Sequence, residues 1–288
     1  MLKRLLAAVL TVAAIGSVTA ADEAVTIKIK KPGKGEVVKE TKAEDIDTVV
    51  NISAGGQKQE QKEKSGSKMV YTDEVVEKGE KDAKPTKTKR TYETAEIVKA
   101  GEKVDLGLKG KTVTIEKVKD KYTFALEEGK LSKEAAEVLD KEFNKKDDVD
   151  MEELMMPKKP VKVGDTWEVD LKAVEKMFGE EMVIDKDKSK VTGKLVKVYD
   201  KDKAKFGVIE YTIALPIASL AVMGQTLPTT DGSKLKVTLS VDGCIDGTVY
   251  GGTTTGKVEG DLGMKVPMAD VALKLTGTMN SKSEPAKK

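Results

Sequence analysis

The chain has 288 residues, of which 35% are charged and only 4% are aromatic. It has no histidine and a single cysteine, Cys244. These counts exclude nucleophile activation by an imidazole, zinc sites built on histidine and an intramolecular disulfide framework. We therefore expect a core of aliphatic side chains and methionine to stabilise the fold, with no cofactor and with Cys244 as a small buried side chain.

The N-terminal residues 1–20 have the three regions of a secretory signal peptide. Lys3 and Arg4 form a charged start, Leu5–Ile15 is apolar, and the last three residues fit a small-x-small cleavage site before Ala21. A retained transmembrane anchor is the alternative, but the apolar run is short for a bilayer. We predict an exported protein, periplasmic or extracellular, with no stable membrane anchor after cleavage because no cysteine stands at the cleavage site.

The charges of the chain are balanced. The 51 basic residues exceed the 49 acidic ones by two, and removal of Lys3 and Arg4 with the signal peptide leaves a formally neutral protein. Nucleic-acid binding requires a basic excess that releases counterions, so we expect no nucleic-acid partner. Neutrality also gives no steering towards anionic membranes.

Apolar residues alternate with polar ones along much of the chain, with a period of two. The clearest segments are Val25–Ile29, Tyr122–Leu126, Ile209–Leu215, Leu235–Val241 and Val271–Leu275. Such alternation is typical of antiparallel strands with one buried and one solvated face. We predict a mainly β fold in which long antiparallel strands form a curved sheet or half-barrel.

Helix signals are few, and we predict two or three short helices. Ser132 is a suitable N-cap for a helix that continues to about Phe143. Leu171–Phe178 is a shorter candidate that ends before Gly179, a suitable C-cap residue. Pro216–Gly224 lies between two strand patterns, and is either an apolar helical turn or a lid that connects strands.

A weak internal repeat predicts two similar β-rich halves. The sequence VKAGEKVDL begins at Val98, and VKVGDTWEVDL begins at Val161. We place the first half at residues 21–155, with its helix near 132–144, and the second at residues 156–280. Whether the halves form one sheet or two domains is left open.

Three segments have almost no apolar residues. Gln57–Ser67 and Lys78–Arg90 are predicted to be mobile loops or the solvated tips of long hairpins. The tail, residues 281–288, is predicted to be disordered.

Trp167, the only tryptophan, follows a proline-flanked linker and a Gly-Asp turn. It begins an alternating segment with Val169 and Leu171, so we expect its indole to pack where the two halves meet, with the N–H bonded to a carbonyl or water. Stacking on a sugar is the alternative.

The stretch Pro160–Trp167, PVKVGDTW, resembles the motif P-V-K-V-G-D-[ST]-W of exported bacterial β-rich proteins of unknown function. The order of a signal peptide, a β-rich half, a short helix and a second β-rich half is also similar to that family, which provides no catalytic residues to carry over. The long strands resemble the half-barrels of bacterial lipoprotein carriers at the level of the fold.

Two methionine-bearing segments, MEELMMP at 151–157 and PIASLAVMG at 216–224, lie at the start of the predicted second half and within it. Methionine lines adaptable apolar surfaces, so a groove for an apolar ligand is weighed against plain core packing. The predicted groove residues are Met155, Met156, Trp167, Leu220 and Met223.

We predict that the protein is not an enzyme and that it serves in binding or as a scaffold, with a lipid or a protein as partner. A carrier of an acyl chain or other lipid is one alternative. A carboxylate-based hydrolase is the other, because paired carboxylates are the catalytic groups that this composition does not exclude.

Overall fold

The structure, a computed structural model, describes residues 23–79, 84–144, 154–171, 182–222, 225–266 and 269–287. Within these residues, fourteen strands form one sheet whose neighbouring strands are all antiparallel. The predicted mainly β fold with long antiparallel strands is confirmed. The sheet does not close on itself, since it ends in different strands at its two edges.

The strands are β1 (Val37–Ala54), β2 (Gln57–Glu77), β3 (Lys87–Lys99), β4 (Glu102–Asp105), β5 (Thr112–Val118), β6 (Lys121–Leu126), β7 (Thr166–Glu168), β8 (Met182–Ile184), β9 (Lys190–Lys201), β10 (Ala204–Val222), β11 (Gln225–Pro228), β12 (Lys234–Cys244), β13 (Gly252–Val266) and β14 (Ala269–Pro285).

The chain enters the sheet at its centre and also leaves it there. The strand order is β6-β5-β3-β2-β1-β14-β13-β12-β10-β9-β7, with β4, β8 and β11 as short additions beside β3 and β10. Strands β1 to β6 move outwards to one edge, and β7 to β14 return from the other edge. Most neighbours are therefore consecutive hairpins, which form from local contacts.

The first and last strands join the two halves. β1 pairs with β14 from Val38 opposite Pro285 to Ala54 opposite Ala269. The tail predicted to be disordered is therefore strand as far as Pro285, because its backbone completes a ladder with β1 on one side and, up to Ser283, with β13 on the other. The sequence does not predict this end of the strand because its side chains are mostly charged or hydroxylated. One of its faces is solvated and the other is polar.

One face of the sheet, here called the inner face, carries two separate apolar cores. The first core consists of Met69, Tyr71, Tyr92, Ala95, Leu106, Leu108, Val113, Ile115, Tyr122, Ala135, Leu139 and Phe143. The second core consists of Ile27, Met155, Val161, Val169, Ile184, Val191, Leu195, Ile209, Tyr211, Ile213, Leu215, Ile217, Leu235, Val237, Ile245 and Leu262. One continuous sheet thus carries two cores, one on each half.

A helix, α1 (Lys133–Phe143), covers the first core. As predicted, it is N-capped by Ser132, whose hydroxyl accepts a hydrogen bond of 3.1 Å from the Ala135 amide. This is the one helix that lies entirely within the described residues. Leu154, Met155 and Leu171 are also helical at the edges of the described ranges, and most of Leu171–Phe178 lies outside them. No described helix is long and apolar enough to cross a membrane.

The apolar stretch from Pro216 is not helical up to Val222, the last of its residues that the structure describes. It extends β10 and pairs with β8 and β11, so the helical-turn alternative is wrong. Backbone pairing on both sides decided this, since a short apolar run has no periodicity that separates helix from strand.

The segment 23–32 crosses from the first half to the second core. Val25 forms a bridge with Val161, Lys28 forms one with Asp246, and Ile27 is buried. This segment was predicted to belong to the first half, but its apolar side chains complete the second core.

The structure differs between the two charged segments that the sequence predicts to be loops or hairpin tips. Gln57–Ser67 is the outer part of β2 and is largely exposed, so it is the tip of a long hairpin rather than a mobile loop. In Lys78–Arg90, the last four residues belong to β3, and Arg90 is only 3% exposed. The loop prediction is wrong for Arg90, which lies in a polar cluster described below.

Candidate functional site: a groove between the two cores

The inner face carries a strip of small and polar residues between the two cores. Glu40 on β1 is directly opposite Ser283 on β14, which is opposite Gly252 on β13, which is opposite Gly243 on β12. Two of these four residues have no side chain. Few side-chain atoms therefore project from the centre of the sheet at this row, and space remains above its backbone.

The next row on the same face is parallel to the first. Lys42 on β1 is opposite Ser281, which is opposite Thr254, which is opposite Val241. The row thus changes from a cation through two hydroxyls to an aliphatic side chain over four strands. Neither hydroxyl has a hydrogen-bond partner among the described residues.

Two neighbouring cavities lie above these rows, and together they are called the central groove. The polar cavity, of about 480 Å³, opens towards the first core. The apolar cavity, of about 270 Å³, opens towards the second core. They share Tyr250, Thr254, Ser281 and Ser283 as lining residues, so the hydroxyl groups stand at the junction.

The apolar cavity contains two of the predicted groove residues, Met155 and Met156. They face Tyr211, Leu239 and Val241, which alternate along β10 and β12. The Tyr211 hydroxyl lies 3.9 Å from the Met156 sulfur. Flexible methionine side chains form one wall and the rigid sheet forms another, an arrangement suited to an apolar ligand.

Trp167 supports this cavity from behind and does not line it. Its indole N–H donates a hydrogen bond of 2.9 Å to the Met155 carbonyl, and its ring meets Tyr211 edge-on at 6.1 Å between centroids. The indole lies over Gly193, its cross-strand partner. Trp167 is half-buried, and its indole N–H has the carbonyl partner that the sequence predicted. The predicted position where the two halves meet is wrong, because β7 is an edge strand and Trp167 packs against the second core alone.

The other two predicted groove residues are not part of the central groove as described. Leu220 lies near the end of β10, opposite Leu227 on β11 and Met182 on β8, where it packs against the second core. Met223 lies outside the described residues. The prediction grouped these residues by their methionine and leucine content, and sheet register separates Leu220 from the groove.

The polar cavity contains a buried arginine that the sequence analysis missed. Arg90 donates two hydrogen bonds to Asp73, with Nε to Oδ1 at 2.8 Å and Nη2 to Oδ2 at 2.9 Å. Its Nη1 donates a third, of 2.9 Å, to Glu142 at the end of α1. The guanidinium lies 3.7 Å from the centroid of Tyr71. This arrangement joins β2, β3 and α1.

Electrostatics keep the Arg90 cluster ionised. Burial alone would lower the pKa of Arg90, but the carboxylates of Asp73 and Glu142 overcome it and raise that pKa well above its usual range. Burial would likewise raise the pKa of Glu142, but Arg90 and Lys42 overcome it and lower that pKa. Burial raises the pKa of Tyr71 well above its usual range, although Arg90 opposes the shift.

Glu40 is the third carboxylate of the polar cavity and is buried, at 9% exposure. It accepts hydrogen bonds of 2.7 Å from the Tyr250 hydroxyl and from the Ser283 hydroxyl. These bonds fix the β12–β13 loop and the end of β14 to β1. The alternation of β1 from Val38 to Lys42 is the signal that could have placed Glu40 on the inner face.

Cys244 is buried at the side of the apolar cavity. Its thiol donates to the carboxylate of Asp246 at 3.1 Å. Within the described ranges, no group of three or more histidine, cysteine, aspartate or glutamate side chains is arranged to hold a metal ion. The side chains that line this site offer hydrogen bonding, charge and apolar contact.

No family model and no curated protein matches the chain. Among solved structures, the COG4313 outer membrane channel from Pseudomonas putida F1 aligns at 10% identity over 90% of this chain and 98% of that chain, with a TM-score of 0.21. A DUF1329 family protein from Desulfovibrio piger ATCC 29098 aligns at 10% identity over 81% and 83%, with a TM-score of 0.13. Scores this low carry no argument about function.

Proposed function

We propose that this chain is an exported, non-enzymatic binding protein that holds a small molecule with an apolar portion in the central groove. The observation that carries the proposal is the apolar cavity of about 270 Å³, which stays open beside a well-packed core. Protein interiors are close-packed, so an open apolar cavity at the surface of a core is a natural ligand site.

The position of the cavity supports this proposal. Its base is the centre of the sheet, where β12, β13 and β14 are held by ladders on both sides. Its wall is the segment around Met155 and Met156, which Trp167 holds through the Met155 carbonyl. A rigid base and an adaptable wall are suited to apolar chains of different shape.

The carboxylates of the groove argue against the hydrolase alternative. Asp73 and Glu142 accept hydrogen bonds from Arg90, and Glu40 accepts from Tyr250 and Ser283. A general acid needs a raised pKa and a nucleophile needs free access. The pKa of Glu142 is lowered instead, because Arg90 and Lys42 outweigh its burial.

The experiment that tests this proposal fills the groove with a larger side chain placed on a sheet strand. Thr254 and Thr253 are neighbours on β13 whose side chains lie on opposite faces, and only Thr254 lines the groove. We expect Thr254→Phe to abolish binding of the neutral fluorescent probe N-phenyl-1-naphthylamine, and Thr253→Phe to leave it unchanged. Trp167 emission provides a second readout. Equal binding by both variants would place the ligand elsewhere, and no binding by the unmodified protein would favour a scaffold role.

Export and native cargo are tested on protein from the host. The N-terminal segment supports cleavage before Ala21, which mass spectrometry of the mature protein measures directly. Native mass spectrometry followed by organic extraction tests for a bound lipid. An intact Met1 would overturn the proposed export, and an empty mature protein that also rejects apolar probes would overturn the proposed binding.

A further inference from the structure

We propose that the central groove selects ligands with an anionic head group, a carboxylate or a phosphate ester, which binds at Lys42, Ser281 and Thr254. This inference rests on the proposed function and specifies the chemistry of its ligand. In this arrangement the apolar chain occupies the apolar cavity, and the head group lies at its junction with the polar cavity.

Register places these three groups side by side. Lys42, Ser281 and Thr254 are consecutive partners across β1, β14 and β13 on the inner face. Thr254 and Ser281 line both cavities, and Lys42 lines the polar one. Two hydroxyls thus stand where an apolar chain in the second cavity would end. The Lys42 ammonium lies on the first-core side of them, 3.5 Å from Glu142 Oε1 and 5.3 Å from the Tyr71 centroid. Such a set donates several hydrogen bonds to the oxygens of an anion.

The charge of the polar cavity has the matching sign. Its lining includes five cationic side chains and three carboxylates. The cations are Lys31, Lys42, Lys78, Lys84 and Arg90, and the carboxylates are Glu40, Asp73 and Glu142. An anion entering the cavity meets a net positive field, which a partly desolvated site strengthens.

The three carboxylates are already engaged, which disfavours a cationic ligand. Each accepts at least two hydrogen bonds or ion-pair contacts from within the protein, as described above. An ammonium head group would have to displace Arg90, Lys42 or a hydroxyl donor. Lys42 pairs with Glu142, with its Nζ 3.5 Å from Oε1, and because its side chain is 44% exposed it can also contact an anion that enters the cavity.

The test uses the full mature protein and four ligands with one chain and different heads: decanoate, decyl phosphate, decanol and decylammonium. Because a hydrogen bond to a charged group is stronger than a neutral one, we expect the better anionic ligand to bind about tenfold more tightly than decanol. We expect decylammonium to bind most weakly. The ratio of the dissociation constants for decanoate and decyl phosphate shows which anion the site prefers.

Two variants locate the head group. Lys42→Gln is expected to lower the affinity for the tighter-binding anion about tenfold and to leave the affinity for decanol unchanged. Lys39→Gln is the matched control on the same strand, because Lys39 pairs with Glu93 on the opposite face. The double variant Ser281→Ala with Thr254→Val tests the hydroxyls while Lys42 stays in place. Urea unfolding of each variant verifies that the fold is intact.

The outcomes separate the two proposals. If decanol binds as tightly as both anions, or if Lys42→Gln weakens decanol and the anions equally, the head-group inference is wrong while the proposed function stands. If decylammonium binds most tightly, the inference is likewise overturned. If none of the four ligands binds, the proposed function itself fails, and the inference fails with it.

Discussion

The indole of Trp167 occupies the space that a side chain at Gly193 would need. A Cβ on Gly193 would lie 2.7 Å from Trp167 Nε1 and closer still to the ring carbons. The two residues are cross-strand partners on β7 and β9. This pair fixes the indole against Tyr211 and thereby directs its N–H to the Met155 carbonyl beside the apolar cavity.

Gly193→Ala is therefore expected to destabilise the protein by about 1–3 kcal/mol, as overpacking of a well-filled core does. Gly260→Ala on β13 is the control, since its new Cβ would have contacts of 3.3 Å or longer. Urea unfolding monitored by the single tryptophan measures both stability and the environment of Trp167. Equal midpoints for the two variants would contradict the packing described here.

Removal of the buried guanidinium is expected to be more costly. Arg90→Met leaves Asp73 and Glu142 without their shared partner, and breaking a buried ion pair costs about 3–5 kcal/mol. Lys89→Met is the control on the same strand, because Lys89 is exposed and pairs with exposed Glu127. An exposed pair contributes about 0–1 kcal/mol. Chemical denaturation measures the unfolding free energy of both variants. A small loss for Arg90→Met would refute a structural role for the cluster.

The lowered pKa of Glu142 predicts a specific loss of stability in acid. A carboxyl whose pKa is lower in the folded than in the unfolded state stabilises the fold fully above its unfolded pKa, near 4.5. That contribution is lost as the pH falls through the lower folded pKa. The difference in unfolding free energy between the parent and Glu142→Gln should therefore be constant near neutrality and shrink below about pH 4.5.

The matched control for this pH series is Glu137→Gln, one turn earlier on α1. Glu137 is exposed and pairs with Lys133 at 3.8 Å. We expect its unfolding curve to follow the parent at every pH. A pH-independent difference for Glu142→Gln would show that the carboxylate is not linked to folding.

Truncation tests whether the C-terminal residues are strand. Ending the chain after Asn280 removes the backbone partners of Val38 to Lys42 and the hydroxyls of Ser281 and Ser283. Several ladder hydrogen bonds are lost at about 1 kcal/mol each, so we expect a loss on the order of 3 kcal/mol. Ending the chain after Ala286 should leave stability unchanged. Hydrogen exchange of the β1 amides gives a second readout, and unchanged protection after the longer deletion would favour a disordered tail.

The sequence by itself determined the kind of secondary structure and the start of α1. Alternation along Ile209–Leu215 and Leu235–Val241 requires one buried face, and antiparallel pairing satisfies both faces of such strands. Ser132 marks the helix start because its hydroxyl can accept from the first free amides. That the Trp167 indole is packed, with its N–H on a carbonyl, also followed from its place at the head of an alternating segment, although its position at the edge of the sheet did not. These features depend on neighbours within a few residues.

Only the tertiary structure decided where Arg90, Glu40 and the C-terminal residues lie. Charged residues have no local pattern that separates a buried ion pair from a solvated loop, because burial depends on partners as distant as Glu142. The end of β14 is held by a ladder to β1, which is more than 200 residues away in the chain. The central groove arises from that same pairing, since it brings Lys42, Ser281 and Thr254 into one row.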